Sequence, residues 1–406
     1  MNFVAFLKQN ANWLSTGALL AFLSSFGQTY FISIFAGEIR TDFELSHGAW
    51  GGIYTLGTGA SAVVMVWAGG LTDRFKVRHL GAATLIFLAV SCLLMSLVST
   101  VWMLPFVIFA LRLSGQGMAS HITTVAMSRW FVASRGKALA LAHLGFSVGE
   151  ALLPLLIVTL ISVISWQSIW ACATIVTLIF IPALWVMLRT ERTPQSIATS
   201  NQSNGMDQRQ WSRPDALKHW LFWTMMPALL GLSAFNTAFF FNQVYFAEIK
   251  GISHIQLVAL FPVYTITGVL AMLGSGWALD RFGTGRLIPW FLLPMVVAFL
   301  TFSTVQSIGP MLVGFFFLAL SAGMGITLPN AFWAEFYGTQ NLGSIKAMAT
   351  AVMVLGSAIG PGITGFMIDY GIGIEIQYIG VAVYFICATL VMFFGVKKAL
   401  PLLFVN

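Results

Sequence analysis

The chain alternates between long apolar runs and short polar connections. Each run holds about 20 residues or more, the helical length that crosses a hydrocarbon core roughly 30 Å thick. Glycine and proline are frequent within the runs, and membrane helices tolerate both. The predicted spans are residues 13–37, 47–71, 79–99, 102–128, 136–160, 165–188, 219–247, 255–279, 286–305, 309–335, 342–368 and 374–396. The pattern therefore predicts an all-α integral membrane protein with twelve transmembrane helices.

The composition is typical of a surface that faces lipid. Hydrophobic residues make up 58% of the 406 residues and charged residues 8%, whereas soluble proteins carry about 25% charged residues. The net charge of +7 is scattered between the apolar runs, so we expect no nucleic-acid partner. Cys92, Cys172 and Cys387 fall inside apolar runs without the spacing of a disulfide or metal site. We therefore expect neither a metal nor a cofactor.

Basic residues set the expected orientation. Seventeen lysines and arginines lie near the chain ends or in connections that follow even-numbered spans, whereas Arg40 and Lys250 lie on the other side. Cytoplasmic connections carry an excess of Lys and Arg, so we expect both termini to be cytoplasmic. The expected location is the cell membrane, inner or plasma, as a multi-pass protein in contact with the lipid bilayer. We expect it to function as a monomer.

One long polar stretch divides the chain. Residues from Arg189 to Lys218 are rich in Ser, Asn, Gln and Thr, a composition that favours a flexible linker. We therefore predict an amino-terminal six-helix bundle over residues 1–188 and a cytoplasmic linker over 189–218. A carboxy-terminal six-helix bundle follows over 219–406.

The two predicted bundles share a repeated signature. Residues 69–78 read GGLTDRFKVR, and residues 276–282 read GWALDRF 207 positions later. Further matches keep nearly the same register, which indicates two copies of one unit. The matched pairs are Trp13 and Trp220, Asp73 and Asp280, Gly115 and Gly323, and Gly117 and Gly325.

These motifs resemble those of the major facilitator superfamily, and the resemblance covers nearly the whole chain. The loop signature of that family, G-x-L-x-D-R-x-G-R-K, departs here at Lys76, where the family usually has glycine. Its segment-four pattern, an arginine before G-Q-G, is matched by Arg112 and residues 115–117, GQG. The matching loop positions are Gly69, Leu71, Asp73, Arg74 and Arg78, with Gly276, Asp280, Arg281 and Gly283 in the second copy.

Segment five carries a second resemblance. Residues 130–138, WFVASRGKA, are similar to the beginning of segment five in monocarboxylate and oxalate/formate-type carriers. The family pattern G-x-x-x-G-P is matched by Gly145 and Gly149, and Glu150 replaces the proline. The proline form occurs in segment eleven, at residues 356–361.

The resemblance implies two bundles that rock about a central site near the membrane midplane. It also implies a cytoplasmic gate, because Asp73 and Asp280 can accept hydrogen bonds from helix N-termini and pair with basic residues. Gly69 and Gly276 are expected to let helices approach closely. The expected gate residues are Gly69, Asp73, Arg74, Arg78, Arg129, Arg135, Gly276, Asp280, Arg281 and Glu335.

Two charges fall deep within the predicted spans, Arg112 and Glu150. Either one left unpaired costs at least ~2.5–3.5 kcal/mol on insertion scales. Counting the helical rise of 1.5 Å per residue from the cytoplasmic ends puts both at about the same depth. We therefore predict that Arg112 and Glu150 form a pair, or share a substrate carboxylate or a proton.

Other polar residues are expected to line the substrate pathway, because segments one, four, seven and ten line the cavity in the resembled fold. In segment four, helical spacing predicts a stripe of Arg112, Gln116, Ser120 and Thr123. His121 and His143 lie level with each other and are either proton relays or structural histidines. The remaining pathway residues are Gln28, Tyr30, Asn236, Thr237, Asn242, Gln243, Asn330, Trp333 and, from segment eight, Tyr264.

The expected activity is transport. The sequence contains no G-x-x-x-x-G-K-[ST] loop and no H-x-x-x-H or C-x-x-C motif, so we expect neither an ATP-driven pump nor an enzyme. We expect a secondary active transporter of a small organic solute by alternating access, driven by protons in symport, with a carboxylate favoured by Arg112. Glu150 would be the protonatable residue. A proton-linked drug or multidrug exporter and a non-transporting membrane sensor are the alternatives.

A topology test follows from the charge distribution. A membrane-impermeant antibody is expected to reach epitope tags at the two chain ends only after cells are permeabilised. A tag inserted beside Lys250 is the control, because it should react in intact cells. Chain ends that label on opposite sides of the bilayer would contradict the arrangement of six plus six spans.

Overall fold

The computed structural model describes residues 3–131, 135–190, 204–338 and 341–403. Eleven helices in these ranges are long and apolar enough to cross a membrane, and a bent pair forms a twelfth span. The chain divides into two compact units, Met1–Ala198 and Thr199–Asn406. Each span lies over one of the predicted apolar runs, so the prediction of an all-α membrane protein is confirmed for the described residues.

Each unit contains six spans. In the first unit they are α1 (Phe6–Gly27 and Thr29–Asp42, bent by 46°), α2 (His47–Ala68), α3 (Val77–Ser96), α4 (Val101–Met127), α5 (Ala138–Ile161) and α6 (Trp166–Met187). In the second they are α7 (Trp220–Phe241), α8 (His254–Leu279), α9 (Thr284–Thr304), α10 (Ile308–Tyr337), α11 (Ile345–Asp369) and α12 (Ile374–Leu403).

The two units repeat one packing pattern. In the first unit α1 packs on α5, α2 on α4, and α3 on α6. In the second, α7 packs on α11, α8 on α10, and α9 on α12. These are the same three pairs in the same order along the chain, so the repeat in the sequence corresponds to a repeat in the fold.

Glycine pairs set the α1–α5 and α7–α11 contacts. A Cβ atom at Gly145 would collide with the Ala18 carbonyl oxygen, and one at Gly149 with the Ser25 hydroxyl. In the second unit a Cβ atom at Gly356 would lie 2.6 Å from the carbonyl oxygen of Leu230. Helices approach this closely in membranes only where small residues leave room, so each G-x-x-x-G pair fixes one helix on the first helix of its unit.

In each unit, polar contacts join the segment at the end of the first helix to the beginning of the sixth helix. In the first unit the indole N–H of Trp166 donates to Asp42 Oδ2 at 2.8 Å. In the second, a short helix, Gln243–Ile249, follows α7, and the buried Lys250 after it forms an ion pair with Glu375 of α12. Lys250 Nζ also donates to the Ser303 carbonyl oxygen at 3.2 Å. We call these two contacts the α1–α6 and α7–α12 clasps.

Residues 204–218 belong to the second unit, so a flexible linker is the wrong description for them. Trp211 is 2% exposed, and its backbone N–H donates to the Tyr337 carbonyl oxygen at 3.2 Å. Ser212 and Asp215 form a capping box that begins a helix, Arg213–Lys218. The hydrogen bond from Ser212 holds the pKa of Asp215 below its ordinary value. Residues 191–203 of the predicted linker lie outside the described ranges.

The crossing of α1 and α4 gives the first stability prediction. A Cβ atom at Gly115 would lie 2.7 Å from the Gly27 backbone, so Gly115→Ala is expected to destabilise the protein by about 1–3 kcal/mol through overpacking. Thermal unfolding of the purified protein in detergent measures the effect. Gly59→Ala in α2 is the matched control, since nothing lies within 4 Å of its added Cβ. Equal melting temperatures for the two variants would contradict a tight crossing.

Candidate substrate-binding site

The first helix is broken near its middle. A 3-10 segment, Ser24–Gly27, ends α1's first piece, and Gln28 is extended, with φ −88° and ψ 152°. The helix then restarts at Thr29. Irregular backbone within a membrane protein is tolerated where protein or a cavity surrounds it, and broken helices mark ion and solute sites in transporters. Here the break exposes carbonyl groups that a continuous helix would use internally.

The fourth helix is irregular where it meets this break. Residues Arg112–Ala119 form a π-helix between two α-helical pieces of α4. Glycine permits the meeting, because a Cβ atom at Gly27 would collide with the Leu111 carbonyl oxygen and with Gly115. Local π-helix is rare and is frequently found at functional sites. The GQG motif of segment four therefore serves a backbone-to-backbone crossing with α1.

Arg112 fills the space beside this crossing. The side chain is 1% exposed, and its Nη1 group donates to the Gly27 carbonyl oxygen at 3.1 Å and to Thr29 Oγ1 at 3.2 Å. The guanidinium also lies over the ring of Tyr54, 5.4 Å from the centroid. Its Nε and Nη2 groups have no hydrogen-bond acceptor in the described part of the chain. A buried cation with two N–H groups still available is suited to binding an anion.

Glu150 lies in α5, next to Gly149, which packs against Ser25 and Tyr30 of α1. The Glu150 side chain is half-buried, and a Cβ atom on the neighbouring Gly149 would lie 3.3 Å from the Tyr30 hydroxyl. Tyr30 is 5% exposed and contacts Phe146 of α5 edge-on, with the ring centroids 5.8 Å apart. The hydrogen bonds of Arg112 go to Gly27 and Thr29 in this structure. The predicted direct Arg112–Glu150 pair is therefore not formed in this structure.

The predicted polar stripe of α4 is interrupted by the π-helix. Because a π-helix closes its hydrogen bonds at i→i+5, positions before and after it no longer share the face that α-helical spacing gives. Thr123 is buried and donates to the Ala119 carbonyl oxygen at 3.0 Å, whereas Gln116 and Ser120 are half-buried. His121 Nε2 lies 3.2 Å from the Gly69 carbonyl oxygen. His143 is exposed on α5, so the two histidines do not have similar surroundings.

In the second unit the predicted pathway residues are in different environments. Gln243 is fully buried, with Oε1 3.4 Å from His254 Nε2, and Trp333 is 2% exposed between Phe222 and Tyr337. The structure thus assigns Trp333 to the core of this unit, not to a cavity wall. The remaining pathway residues of this unit are Tyr264, edge-on to Phe240; Asn242, donating to Thr364; Asn330, exposed; Thr237, half-buried; and Asn236, half-buried, whose Oδ1 has no partner among the described residues. In the first unit, the predicted pathway residue Gln28 of α1 is 9% exposed.

Two residues of the Arg112 site are absent from the sequence prediction. Thr29 stands between two predicted residues, Gln28 and Tyr30, and accepts a hydrogen bond from Arg112. Tyr54 lies in α2, a helix that the resemblance did not assign to the cavity, and is fully buried. No composition or spacing signal marks either residue. They become visible only once the break brings α1 and α2 together beside Arg112.

Comparison with known proteins settles the family. The model of the Major Facilitator Superfamily matches residues 17–310 and 259–404. The chain belongs to this superfamily. No curated protein sequence is similar enough to be matched.

Solved major facilitators share the fold. A bacterial homologue of the human lysosomal transporter Spinster, inward-facing and occupied, superposes with a TM-score of 0.74 and 13% identity, covering 96% of this chain and 97% of that one. Its inward-facing, unoccupied form gives 0.70 and 14%, covering 97% and 98%. A variant of the nucleoside transporter NupG gives 0.70 and 13%, covering 97% and 100%. At these identities the likeness establishes the fold alone.

The family's loop signature is only partly described. The Gly69 carbonyl oxygen accepts a hydrogen bond from Thr72 Oγ1 at 2.8 Å, and the guanidinium of Arg78 lies 4.0 Å from the ring centroid of Trp185 in α6. A Cβ atom at Gly276 would meet nothing within 4 Å, so the close approach expected there is not formed in this structure. Arg74, Arg281 and Glu335 are exposed. The side chains of Asp73, Arg129, Arg135 and Asp280 lie outside the described part of the chain.

The departure of the signature at Lys76 has a local explanation. Lys76 is extended, with φ −65° and ψ 143°, a conformation that any residue adopts. In the second copy Gly283 takes φ 77°, which disfavours residues with a Cβ atom. The first loop therefore turns without needing glycine, whereas the second depends on it.

One cavity in the described part of the second unit is lined by none of the residues of the Arg112 site. It measures about 140 Å³ and lies among Ala278 of α8, Trp290 and Phe291 of α9, and Leu328 of α10. Its lining is apolar and includes no titratable group, so it offers nothing to orient a charged solute. The cluster around the α1 break remains the candidate site.

The isolated Arg112 charge predicts an unusual stability effect. Removing a buried charge that has no ion-pair partner recovers its desolvation cost, but it leaves the Gly27 carbonyl oxygen without its donor, at about 1–3 kcal/mol. Because these effects oppose each other, Arg112→Met is expected to change the melting temperature little. Thermal unfolding in detergent without added solute measures this. A fall of more than about 5 °C, roughly 4 kcal/mol at this chain length, would show that the guanidinium is a structural element and not a binding group.

Proposed function

We propose that this major facilitator is a secondary active transporter that moves a small organic anion across the cell membrane by alternating access, coupled to protons. The observation that carries the proposal is the buried Arg112 guanidinium, whose Nε and Nη2 groups have no acceptor among the described residues. Such a group is expensive to keep in a membrane protein, and intramembrane charges mark substrate and ion pathways.

A carboxylate is the favoured solute class. Arginine presents N–H groups in a fixed planar fork that matches the two oxygens of a carboxylate, and charge-assisted bonds of this kind are about twice as strong as neutral ones. The local resemblance of residues 130–138 to monocarboxylate-type carriers points in the same direction.

Glu150 is proposed as the coupling residue. It is a half-buried acid next to Tyr30, and Tyr30 follows Thr29, which binds Arg112. Protonation of Glu150 would change the charge near Tyr30, while the solute occupies the Arg112 site beside Thr29. The broken backbone gives the two events a common mobile element. His121 and His143 are retained as candidate proton relays in this proposal.

We propose that the loop of residues 69–78, which carries the family signature, moves when the cytoplasmic gate opens and closes. Because His121 of α4 contacts the Gly69 carbonyl oxygen and Arg78 stacks on Trp185 of α6, movement of this loop would be felt by two other helices of the first unit. Such coupling would relate the gate to α4, which also carries Arg112.

Proton-linked export of cationic or apolar compounds is the second candidate. It is favoured by one observation: an acidic side chain, Glu150, lies half-buried within the membrane span α5, where a carboxylate can pair with a cationic solute. A drug-sensitivity panel in cells that overproduce the protein distinguishes the two. Resistance that disappears with Glu150→Gln and persists with Arg112→Gln would favour export.

The coupling proposal predicts the behaviour of Glu150→Gln. Uptake of a transported carboxylate into proteoliposomes should increase with an imposed inward proton gradient in the wild-type protein. The variant cannot lose a proton at this position, so the gradient should no longer stimulate its uptake.

Exchange of labelled solute across proteoliposomes without a gradient is the internal control for Glu150→Gln, since exchange needs the binding site but no net proton movement. Glu248→Gln, a change at another acid, is the matched control variant. Unchanged stimulation in Glu150→Gln would remove this residue from the coupling mechanism.

A further inference from the structure

The side chains around Arg112 define how it would hold its solute, an inference that rests on the proposed anion site. We infer that Thr29 and Tyr54 are positioning residues that fix the guanidinium by its Nη1 corner and leave the Nε–Nη2 edge for a carboxylate bound through two parallel hydrogen bonds. Both residues act through Arg112 and need not touch the solute.

The first observation is the distribution of hydrogen bonds over the guanidinium. Nη1 donates to two acceptors, the Gly27 carbonyl oxygen at 3.1 Å and Thr29 Oγ1 at 3.2 Å. Since Nη1 carries two N–H groups, both of its hydrogens are used. The groups without an acceptor are Nε and Nη2, and these lie side by side on one edge of the planar group. The pattern is therefore not a random loss of partners but one complete corner and one complete free edge.

The second observation is the support behind Thr29. Its hydroxyl lies 2.6 Å from that of Tyr54, so the oxygen that receives the Arg112 bond is itself held. The Tyr54 ring lies under the guanidinium at 5.4 Å, within range of a cation–π contact. Tyr54 therefore restrains both the position and the plane of the arginine. A guanidinium held in this way loses little further freedom when it binds.

The third observation is the chemistry of the free edge. Two N–H groups pointing the same way match two oxygens in one plane, which is the carboxylate arrangement. A carboxamide offers one acceptor and presents donors to the other position, so it would leave one N–H group unbonded. A sulfonate can also present two oxygens to the edge, but it spreads the same charge over three oxygens, so each one is a weaker hydrogen-bond acceptor. The free edge thus favours carboxylates among organic anions by the strength of the two bonds.

Access to the edge requires local movement, because Arg112 is 1% exposed. The α1 break supplies the element that moves: the 3-10 segment Ser24–Gly27 and extended Gln28 join two helical pieces that meet at 46°. The Gly27 contact lies on this element, and the Thr29 contact lies on the first residue after it. Movement of the break would therefore carry the Nη1 acceptors and the opening to the edge together.

The test compares binding of carboxylates and sulfonates to the full-length protein in detergent. Probes are acetate with methanesulfonate and benzoate with benzenesulfonate, and thermal stabilisation over a concentration series gives apparent Kd values. Thr29→Val and Tyr54→Phe are each expected to weaken carboxylate binding roughly tenfold, equivalent to about 1.4 kcal/mol, and to reduce the preference for carboxylate over sulfonate. General loosening of the site would weaken both anions alike and leave that preference unchanged.

Conservative variants separate positioning from folding defects. Thr29→Ser keeps the hydroxyl and should restore most of the carboxylate preference lost in Thr29→Val. Thr159→Val removes an exposed α5 hydroxyl that bonds only to its own helix and should bind as wild type does.

The outcomes separate this inference from the proposed function. If Arg112→Gln abolishes carboxylate binding while Thr29→Val and Tyr54→Phe keep the wild-type preference, the positioning roles are overturned and the anion site stands. If Arg112→Gln binds carboxylates unchanged, the proposed anion site itself falls. If neither carboxylate stabilises the wild-type protein, both are overturned.

Discussion

The contact on which the candidate site depends is the backbone crossing of α1 and α4 at Gly27 and Gly115. Neither residue can carry a Cβ atom without a collision, and both helices give up regular α-geometry where they meet. In lipid, a carbonyl released from a helix must find a donor within the protein. Arg112 supplies that donor to Gly27, so the same close approach that breaks the helix also places a cation inside the first unit.

This placement uses the cation only in part. If the only role of Arg112 were to bind the α1 backbone, all its N–H groups would be expected to donate to neighbouring oxygens. Each buried donor without an acceptor lowers the free energy of unfolding by about 1–3 kcal/mol. The Nη1 group of Arg112 donates to α1, whereas its Nε and Nη2 groups have no acceptor among the described residues. Sites of function commonly carry such local costs, which the surrounding fold offsets.

The fold was predictable from the sequence because its causes are local and repeated. Runs of apolar residues give the spans, and the register between Asp73 and Asp280 gives the duplication. Arg112 and Glu150 were also predictable as the two deep charges. Their relation was not, since depth along ideal helices ignores the break at Gln28 and the π-helix that begins at Arg112. Trp333 and residues 204–218 were misjudged because polarity along the chain does not show which surface a segment will cover.

The clasps bear on how the molecule could be assembled. Asp42 with Trp166 and Lys250 with Glu375 each join the opening helix of a unit to its closing helix, and neither borrows a group from the other unit. In each unit the first and the last of the six helices are thus joined by a polar contact within that unit. If the two units were translated as separate polypeptides, each polypeptide would contain both partners of its own clasp. A gene divided between the two units would therefore still encode both clasps intact.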